Sequence, residues 1–166
     1  MEIEKAIKTA IEYEIKVRDS YYNAAKQTKD EKGRKIFQVL GDEEQGHVDY
    51  LNSKLAEWQK TGKAIPEKLA TIVPSPKAIM EGVQKLDHHL SKPDRGSEKE
   101  LLSKALQLET ETSNFYQKMV EEMGSDGELF ARFLEIEKGH QAIVQAELDY
   151  HQQTGYLFDF QDFAMV

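Results

Sequence analysis

The chain has 166 residues, of which 39% are hydrophobic and 31% are charged, and this fits one compact domain with a modest core. It contains four prolines and ten glycines, and its mean hydropathy is -0.66, so long helices are favoured over a β-sandwich or barrel. The net charge of -8 disfavours nucleic acid and anionic membrane surfaces as partners. Because cysteine is absent, disulfides, thiolate catalysis and cysteine-held zinc or iron–sulfur centres are excluded, and any metal must bind to histidines and carboxylates.

No run of residues approaches the roughly 18 apolar residues that a membrane span needs. The first ten residues interleave charged and apolar side chains, so they lack the apolar stretch of a signal peptide. We therefore expect a soluble, cytoplasmic protein.

Two long helices are predicted in the first 62 residues. Apolar residues at alternating steps of three and four form the buried stripe of a bundle helix from about Glu2 to Thr28. The same spacing predicts a second helix, which begins after the N-cap residue Asp30 and ends at Thr61-Gly62.

Two more long helices are predicted in the second half of the chain. Ser97 and Glu100 form a capping box that opens the third helix. Ser125 and Glu128 repeat this arrangement for the fourth helix, which ends near Gly155.

The segment 62–96 holds all four prolines and a short helix that begins at Ser75-Pro76. It is long enough to run along a bundle helix of about 28 residues, which is about 42 Å long, and so to leave the second and third helices parallel. We predict an all-α, ferritin-like four-helix bundle over residues 1–155, built from two helical hairpins that this long crossover joins. The aromatic tail 156–166 is too short to fold alone, and we expect it to pack on the bundle rather than on a neighbouring chain.

Polar residues interrupt the apolar stripe in the middle of every long helix. In the first helix, the period places Glu14 within the buried stripe and Glu12 outside it. The residues found in this way are Glu14 in the first helix, Glu44 and His47 in the second, Glu109 in the third, and Glu137 and His140 in the fourth.

The two halves of the chain repeat one another. Glu109 lies 95 positions after Glu14, and the second Glu-x-x-His motif lies 93 positions after the first. The repeat predicts two helical hairpins related by an approximate twofold axis, and a site on that axis would receive matched ligands.

Four glutamates and two histidines would then meet at one level of the bundle core. Buried carboxylates would cost more than the net stability of the fold unless they were neutralised. Two divalent cations, typically about 3.5–4 Å apart, would balance the four carboxylates with both imidazoles neutral. A single Glu-x-x-His motif most often lies on a solvated helix face, so the prediction of a metal depends on the two matched motifs and the stripe glutamate on each partner helix.

Two tyrosines follow the stripe glutamates at a matching distance. Tyr21 and Tyr116 lie two turns after Glu14 and Glu109 on the same helix faces. Each is either an ordinary core aromatic residue or a hydrogen-bond donor to a ligand carboxylate from another helix.

Four other polar residues are not predicted to be metal ligands. Glu147 and His151 fall on the stripe of the fourth helix, but we expect a solvated bundle end there. His88 and His89 belong to the crossover and are expected at the surface.

From Ala10-Ile11-Glu12-Tyr13-Glu14 to His140, the sequence resembles the rubrerythrin-type branch of the ferritin-like diiron-carboxylate proteins. The resemblance implies a diiron site with six ligands: Glu14, Glu44, His47, Glu109, Glu137 and His140. It also implies redox chemistry with hydrogen peroxide or dioxygen, and a homodimer. The donor set suits manganese as well as iron.

The sequence departs from that family at two points. Two-domain rubrerythrins carry a cysteine-ligated rubredoxin domain, whereas this chain has no cysteine, so its electron donor would be a separate molecule such as a rubredoxin-like protein. The family commonly has a further glutamate one turn after the ligand of the third helix, where this chain has Thr112. This second departure bears on peroxidase chemistry more than on metal binding.

Three hypotheses follow from the sequence. The first is a diiron oxidoreductase that reduces hydrogen peroxide with electrons from an external donor. The second is a ferroxidase or iron-binding protein that stores or delivers iron without peroxide turnover. The third is a helical interaction module whose metal is structural.

Overall fold

The computed structural model describes residues 2–84, 98–155 and 157–158, and in these ranges it is a helical bundle without β-strands. Its five α-helices are α1 (Ile3–Gln27), α2 (Glu31–Thr61), α3 (Pro76–Gln84), α4 (Glu98–Glu122) and α5 (Glu128–Thr154). The four long helices and the short crossover helix therefore lie where the sequence predicts them.

Local signals explain where α2 begins and ends and where α3 begins. The side chain of Asp30 accepts a hydrogen bond from the backbone N–H of Gly33 and caps α2. Gly62, with φ of 73°, ends the same helix in the left-handed conformation that glycine adopts most easily. Ser75 caps α3 by accepting a hydrogen bond from the N–H of Ala78.

The predicted capping box at Ser125 is wrong. Ser125 lies inside a 3-10 turn, Gly124–Gly127, and no side chain caps the N-terminus of α5. A Cβ on Gly127 would lie 2.9 Å from the backbone oxygen of Met119, so the reversal depends on close backbone approach. The other predicted box includes Ser97, which lies outside the described residues.

Helices α1 and α2 form an antiparallel hairpin. The side chain of Gln59, near the end of α2, donates a hydrogen bond to Glu4 near the start of α1. Tyr22, near the end of α1, donates to Asp42 in the first half of α2. Later positions on one helix thus meet earlier positions on the other.

Helix α4 also runs antiparallel to α1. Tyr21 of α1 contacts Glu109 of α4, whereas the earlier Glu14 contacts the later Tyr116. Because α2 is antiparallel to α1 as well, α2 and α4 run in the same direction.

The first part of the crossover, residues 62–75, is held on α2 and α5. The hydroxyl of Tyr50 accepts a hydrogen bond from the N–H of Glu67 and donates one to its carbonyl oxygen. Lys54, whose side chain is only 2% exposed, forms an ion pair with Glu67 at 3.1 Å. Arg132 of α5 donates to the carbonyl oxygen of Leu69. These contacts fix this segment against α2 and α5.

Two apolar clusters fill the core at different heights. In α1, the residues before Glu14 belong to one cluster, and those from Val17 to Ala24 belong to the other. The other three long helices change cluster in the same way on either side of their central polar residues. The polar level therefore lies between two apolar layers.

The beginning of the tail packs on the bundle, as predicted. Leu157 and Phe158 are buried and join the apolar cluster that contains the end of α1. The other tail residues lie outside the described ranges. Within the part of the chain that the structure describes, no helix is long and apolar enough to cross a membrane.

Candidate metal centre

All six residues predicted as ligands lie together in the core. His47 is 2% exposed, and the four glutamates and His140 have no exposed surface. They form two overlapping groups, in each of which one potential ligand atom per residue lies within 4.8 Å of the others. The first group is Glu14, Glu44, His47 and Glu137, and the second is Glu44, Glu109, Glu137 and His140.

Glu44 and Glu137 belong to both groups. These are the glutamates of the two Glu-x-x-His motifs, so the repeat brings one shared carboxylate from each half of the chain. Glu14 and Glu109 each belong to one group. If one metal ion bound to each group, Glu44 and Glu137 would be ligands of both ions, and Glu14 and Glu109 would be terminal ligands, each of one ion.

His47 presents its Nδ1 atom to the centre of the first group. This nitrogen lies 3.0 Å from Oε1 of Glu137, 3.3 Å from Oε2 of Glu44 and 3.5 Å from Oε2 of Glu14. One ring nitrogen thus faces three carboxylates, as the ligand nitrogen of a metal site would.

His140 presents the same ring nitrogen to the second group. Its Nδ1 lies 2.6 Å from Oε1 of Glu44, 3.4 Å from Oε1 of Glu109 and 3.9 Å from Oε2 of Glu137. The rings of His140 and His47 are stacked, with centroids 5.8 Å apart and planes 14° apart. The two halves therefore present their histidines in the same way.

The two tyrosines hold the terminal carboxylates. Tyr21 donates a hydrogen bond of 2.5 Å to Glu109, and Tyr116 donates one of 2.6 Å to Glu14. Burial, reinforced by the nearby carboxylates, raises the pKa of both phenols well above the usual value of 10.0. Both stay protonated and keep donating at neutral pH.

Burial and neighbouring charges give the buried carboxylates different pKa values. Burial, together with the charges of Glu14 and Glu109, raises the pKa of Glu44 to about 8. Burial and the same neighbouring charges raise the pKa of Glu137 well above its usual value. For Glu14 burial acts in the same direction, but the charge of His47 and hydrogen bonds outweigh it and lower the pKa to about 2.

The neighbouring carboxylates favour the protonated form of both imidazoles in the metal-free protein. Burial alone would lower the pKa of His47, but the charges of Glu14 and Glu44 raise it well above 6.5. His140 behaves in the same way, because the charge of Glu44 outweighs the effect of burial. Protons thus supply part of the positive charge that the carboxylates require.

Many ligand atoms of this cluster have no hydrogen-bond partner among the described residues. They are Oε2 of Glu14, Glu44 and Glu109, both carboxylate oxygens of Glu137, Nε2 of His140 and both ring nitrogens of His47. Buried polar atoms are rarely left unpaired without a function. Carboxylate oxygens and imidazole nitrogens are donors that iron and manganese accept, so the residues fit a pair of such ions.

One residue at the site was missed from the sequence. Oε1 of Glu43 accepts a hydrogen bond of 2.5 Å from Thr71 of the crossover and lies 3.6 Å from Nε2 of His140. Glu43 lies off the buried stripe, so helical period does not single it out. The sequence signal that could have identified it is its position directly before the predicted ligand Glu44.

The expectation of a solvated bundle end at Glu147 is wrong. Glu147 has no exposed surface, and its carboxylate accepts a hydrogen bond of 2.8 Å from the backbone N–H of Phe158. His151 is 9% exposed. Phe158 therefore lies against this part of α5. His88 and His89 lie outside the described residues.

Thr112 is fully buried one turn after Glu109. Its hydroxyl donates to the backbone oxygen of Leu108, so it bonds to its own helix. The position provides no carboxylate.

No family model, curated protein or solved structure matches the chain. The function is therefore inferred from the site itself.

Proposed function

We propose that the protein is a rubrerythrin-like dinuclear iron oxidoreductase. It would reduce hydrogen peroxide, or react with dioxygen, with electrons from a separate donor such as a rubredoxin-like protein. The main support is the pair of buried Glu/His groups that share Glu44 and Glu137. A homodimer is part of the proposal.

The helix directions support a ferritin-like topology. Helices α2 and α4 run in the same direction, and a long crossover that can span a bundle helix joins them. The four long helices each contribute a glutamate to one level of the core, and α2 and α5 add the histidines. Ferritin-like dinuclear proteins use this distribution of ligands.

Two ferrous ions bound there would supply the two electrons that, with two protons, convert hydrogen peroxide into two water molecules. The protein would hold them with Glu14 and Glu109 as terminal ligands and with Glu44 and Glu137 as shared ligands. Because Tyr21 and Tyr116 occupy one oxygen of each terminal carboxylate, these side chains are held in orientation.

The surrounding apolar side chains control access to the site. Leu40, Leu51, Phe133 and Val144 are at most 1% exposed and lie in the layers on either side of the polar level. They separate the polar level from bulk water.

The test is the reaction of the reduced protein with peroxide. Metal-free protein is loaded anaerobically with two ferrous ions per chain and mixed with one equivalent of hydrogen peroxide in a stopped-flow spectrometer. We expect complete oxidation within seconds, and much slower oxidation in a His47→Ala variant. Oxidation no faster than that of ferrous ion in buffer would contradict the proposal.

Thr112 favours a second candidate function, because the family's additional glutamate is absent there. Such a protein would oxidise ferrous iron for storage or delivery without peroxide turnover. Continued aerobic uptake beyond two irons per chain would favour this function, whereas saturation at two argues against it.

A further inference from the structure

The two groups of potential ligands have unequal surroundings. The group that contains His140 is called the His140 half of the candidate metal centre, and the group that contains His47 is called the His47 half. Nε2 of His140 faces Glu43 at 3.6 Å. The repeat of 93 positions matches Glu43 with Ile136, which is buried and apolar. The matching position on α5 therefore offers His47 no carboxylate.

The Nε2 atoms of both histidines are buried and have no hydrogen-bond partner among the described residues, so the difference lies in which carboxylates are near them. The carboxylates within 4 Å of His47 in this part of the chain are those of Glu14, Glu44 and Glu137, and each lies nearest to Nδ1.

In the part of the chain that the structure describes, the crossover holds Glu43 and packs beside Gly139 in the His140 half. Thr71 donates its hydroxyl hydrogen to Glu43, and the N–H of Val73 donates to the same hydroxyl oxygen. Val73 and Pro74 also lie 3.9 Å from where a Cβ on Gly139 would be. At Gly46, which the repeat matches with Gly139, a Cβ would have no neighbour within 4 Å.

This difference affects metal binding through the histidine. A histidine that binds a metal through Nδ1 keeps its proton on Nε2, and a carboxylate acceptor for that proton fixes the ring and makes it a stronger ligand. The 3.6 Å separation is slightly longer than a hydrogen bond, and a small rotation of the ring would close it. Glu43, held by Thr71, is placed to accept this proton.

We propose that Glu43 is a positioning residue for His140, and that the His140 half of the centre binds its metal more tightly and fills before the His47 half. This inference rests on the proposed metal centre. It adds that the two metal positions are unequal, and that the crossover residue Thr71 contributes to the tighter one.

The test is a titration of the metal-free full chain with Co²⁺, in which binding is monitored by calorimetry and by visible absorption. We expect two unequal binding steps. Glu43→Gln should weaken the tighter step by about 10- to 100-fold and leave the weaker step unchanged. Thr71→Val should weaken the same step by less. The control is Asp42→Asn, which removes the same charge one position away, where Asp42 is exposed and bonded to Tyr22.

Two histidine variants assign the steps to the halves. With His47→Ala, Glu43→Gln should still weaken binding of the remaining metal, whereas with His140→Ala it should have no effect. The inference would be overturned if Glu43→Gln weakened binding equally in both backgrounds, or in neither. If the unmodified chain still bound two Co²⁺ ions, the proposed metal centre would not be contradicted by that result. Failure of the unmodified chain to bind Co²⁺ would overturn both.

Discussion

Glu12 and Glu14 lie on the same helix with opposite surroundings. Glu12 is exposed, whereas Glu14 is fully buried, bonded to Tyr116 and close to His47. We predict that Glu14→Gln reduces the number of ferrous ions bound per chain, because it removes a terminal ligand. Glu12→Gln should leave that number unchanged and alter the free energy of unfolding by no more than ~0.5 kcal/mol. Anaerobic iron titration and denaturant unfolding measure the two quantities. Loss of iron from Glu12→Gln alone would contradict the helical register.

Glu44 should affect metal binding and the stability of the metal-free protein in opposite directions. It belongs to both groups, and burial with the charges of Glu14 and Glu109 raises its pKa to about 8. Glu44→Gln should therefore weaken metal binding but raise the thermal midpoint of the metal-free protein, since the glutamine neither ionises nor needs to take up a proton. Calorimetry of the metal-free and loaded forms tests this, with Glu12→Gln as the control. A lower metal-free midpoint in Glu44→Gln would contradict it.

At the residue scale, helical period was sufficient to find the six candidate ligands, all of which are buried. Each interrupts an apolar stripe, and the repeat supplies an independent check. Glu43 was missed because it lies off the stripe and meets His140 from a neighbouring helix. Glu147 was misjudged because its partner, the N–H of Phe158, belongs to a short tail without periodicity.

The elements differ in how far sequence signals define them. Asp30 and Gly62 mark the ends of α2, because an aspartate cap and a left-handed glycine are strong local signals. The start of α5 was mispredicted because a serine and a glutamate in capping-box spacing coincide with a glycine-containing 3-10 turn. There, close packing of Gly127 on the end of α4 outweighs the side-chain cap.

The first tail residues act as part of the bundle. Phe158 is 2% exposed, and its ring lies 5.6 Å from that of Tyr150 on α5. We predict that Phe158→Ala lowers the free energy of unfolding by about 3 kcal/mol, because it removes a buried aromatic ring and leaves a cavity. Met80→Ala, at a side chain that is 68% exposed, should change it by less than about 0.5 kcal/mol. Urea unfolding measures both. Equal effects would show that the tail adds nothing to the core.

At the scale of the whole molecule, the repeat predicted two hairpins with matched ligands, whereas the contacts that hold the crossover could not be predicted. Some of them are single polar contacts, such as that of Arg132 with the backbone oxygen of Leu69, and these leave no periodic pattern. The unequal surroundings of the two histidines also depend on such a contact, because Thr71 of the crossover bonds to Glu43 beside His140.

The metal-free protein should lose stability as pH rises from about 5 to about 8. The pKa of Glu44 is raised from 4.5 to about 8, so the folded chain holds a proton that the unfolded chain releases, and this stabilisation is lost as pH rises. The raised pKa values of His47 and His140 act in the same direction. The lowered pKa of Glu14, about 2, has the opposite sign, but its effect falls below pH 4.5.

Metal binding displaces these protons, so its stabilising effect should increase with pH. We predict that the difference between the thermal midpoints of the loaded and metal-free proteins widens from pH 5 to pH 8. Scanning calorimetry at fixed metal concentration measures this difference. A difference that stays constant or narrows would mean that the buried groups do not exchange protons for metal.

The number of ferrous ions bound at saturation tests the dinuclear centre most directly. An anaerobic titration of the metal-free full chain, followed by elemental analysis after gel filtration, gives this number. Two ions per chain in the unmodified protein, and fewer in Glu14→Gln and His47→Ala, are the predicted result. No bound iron, or the same amount in all three proteins, would contradict a dinuclear site at these residues.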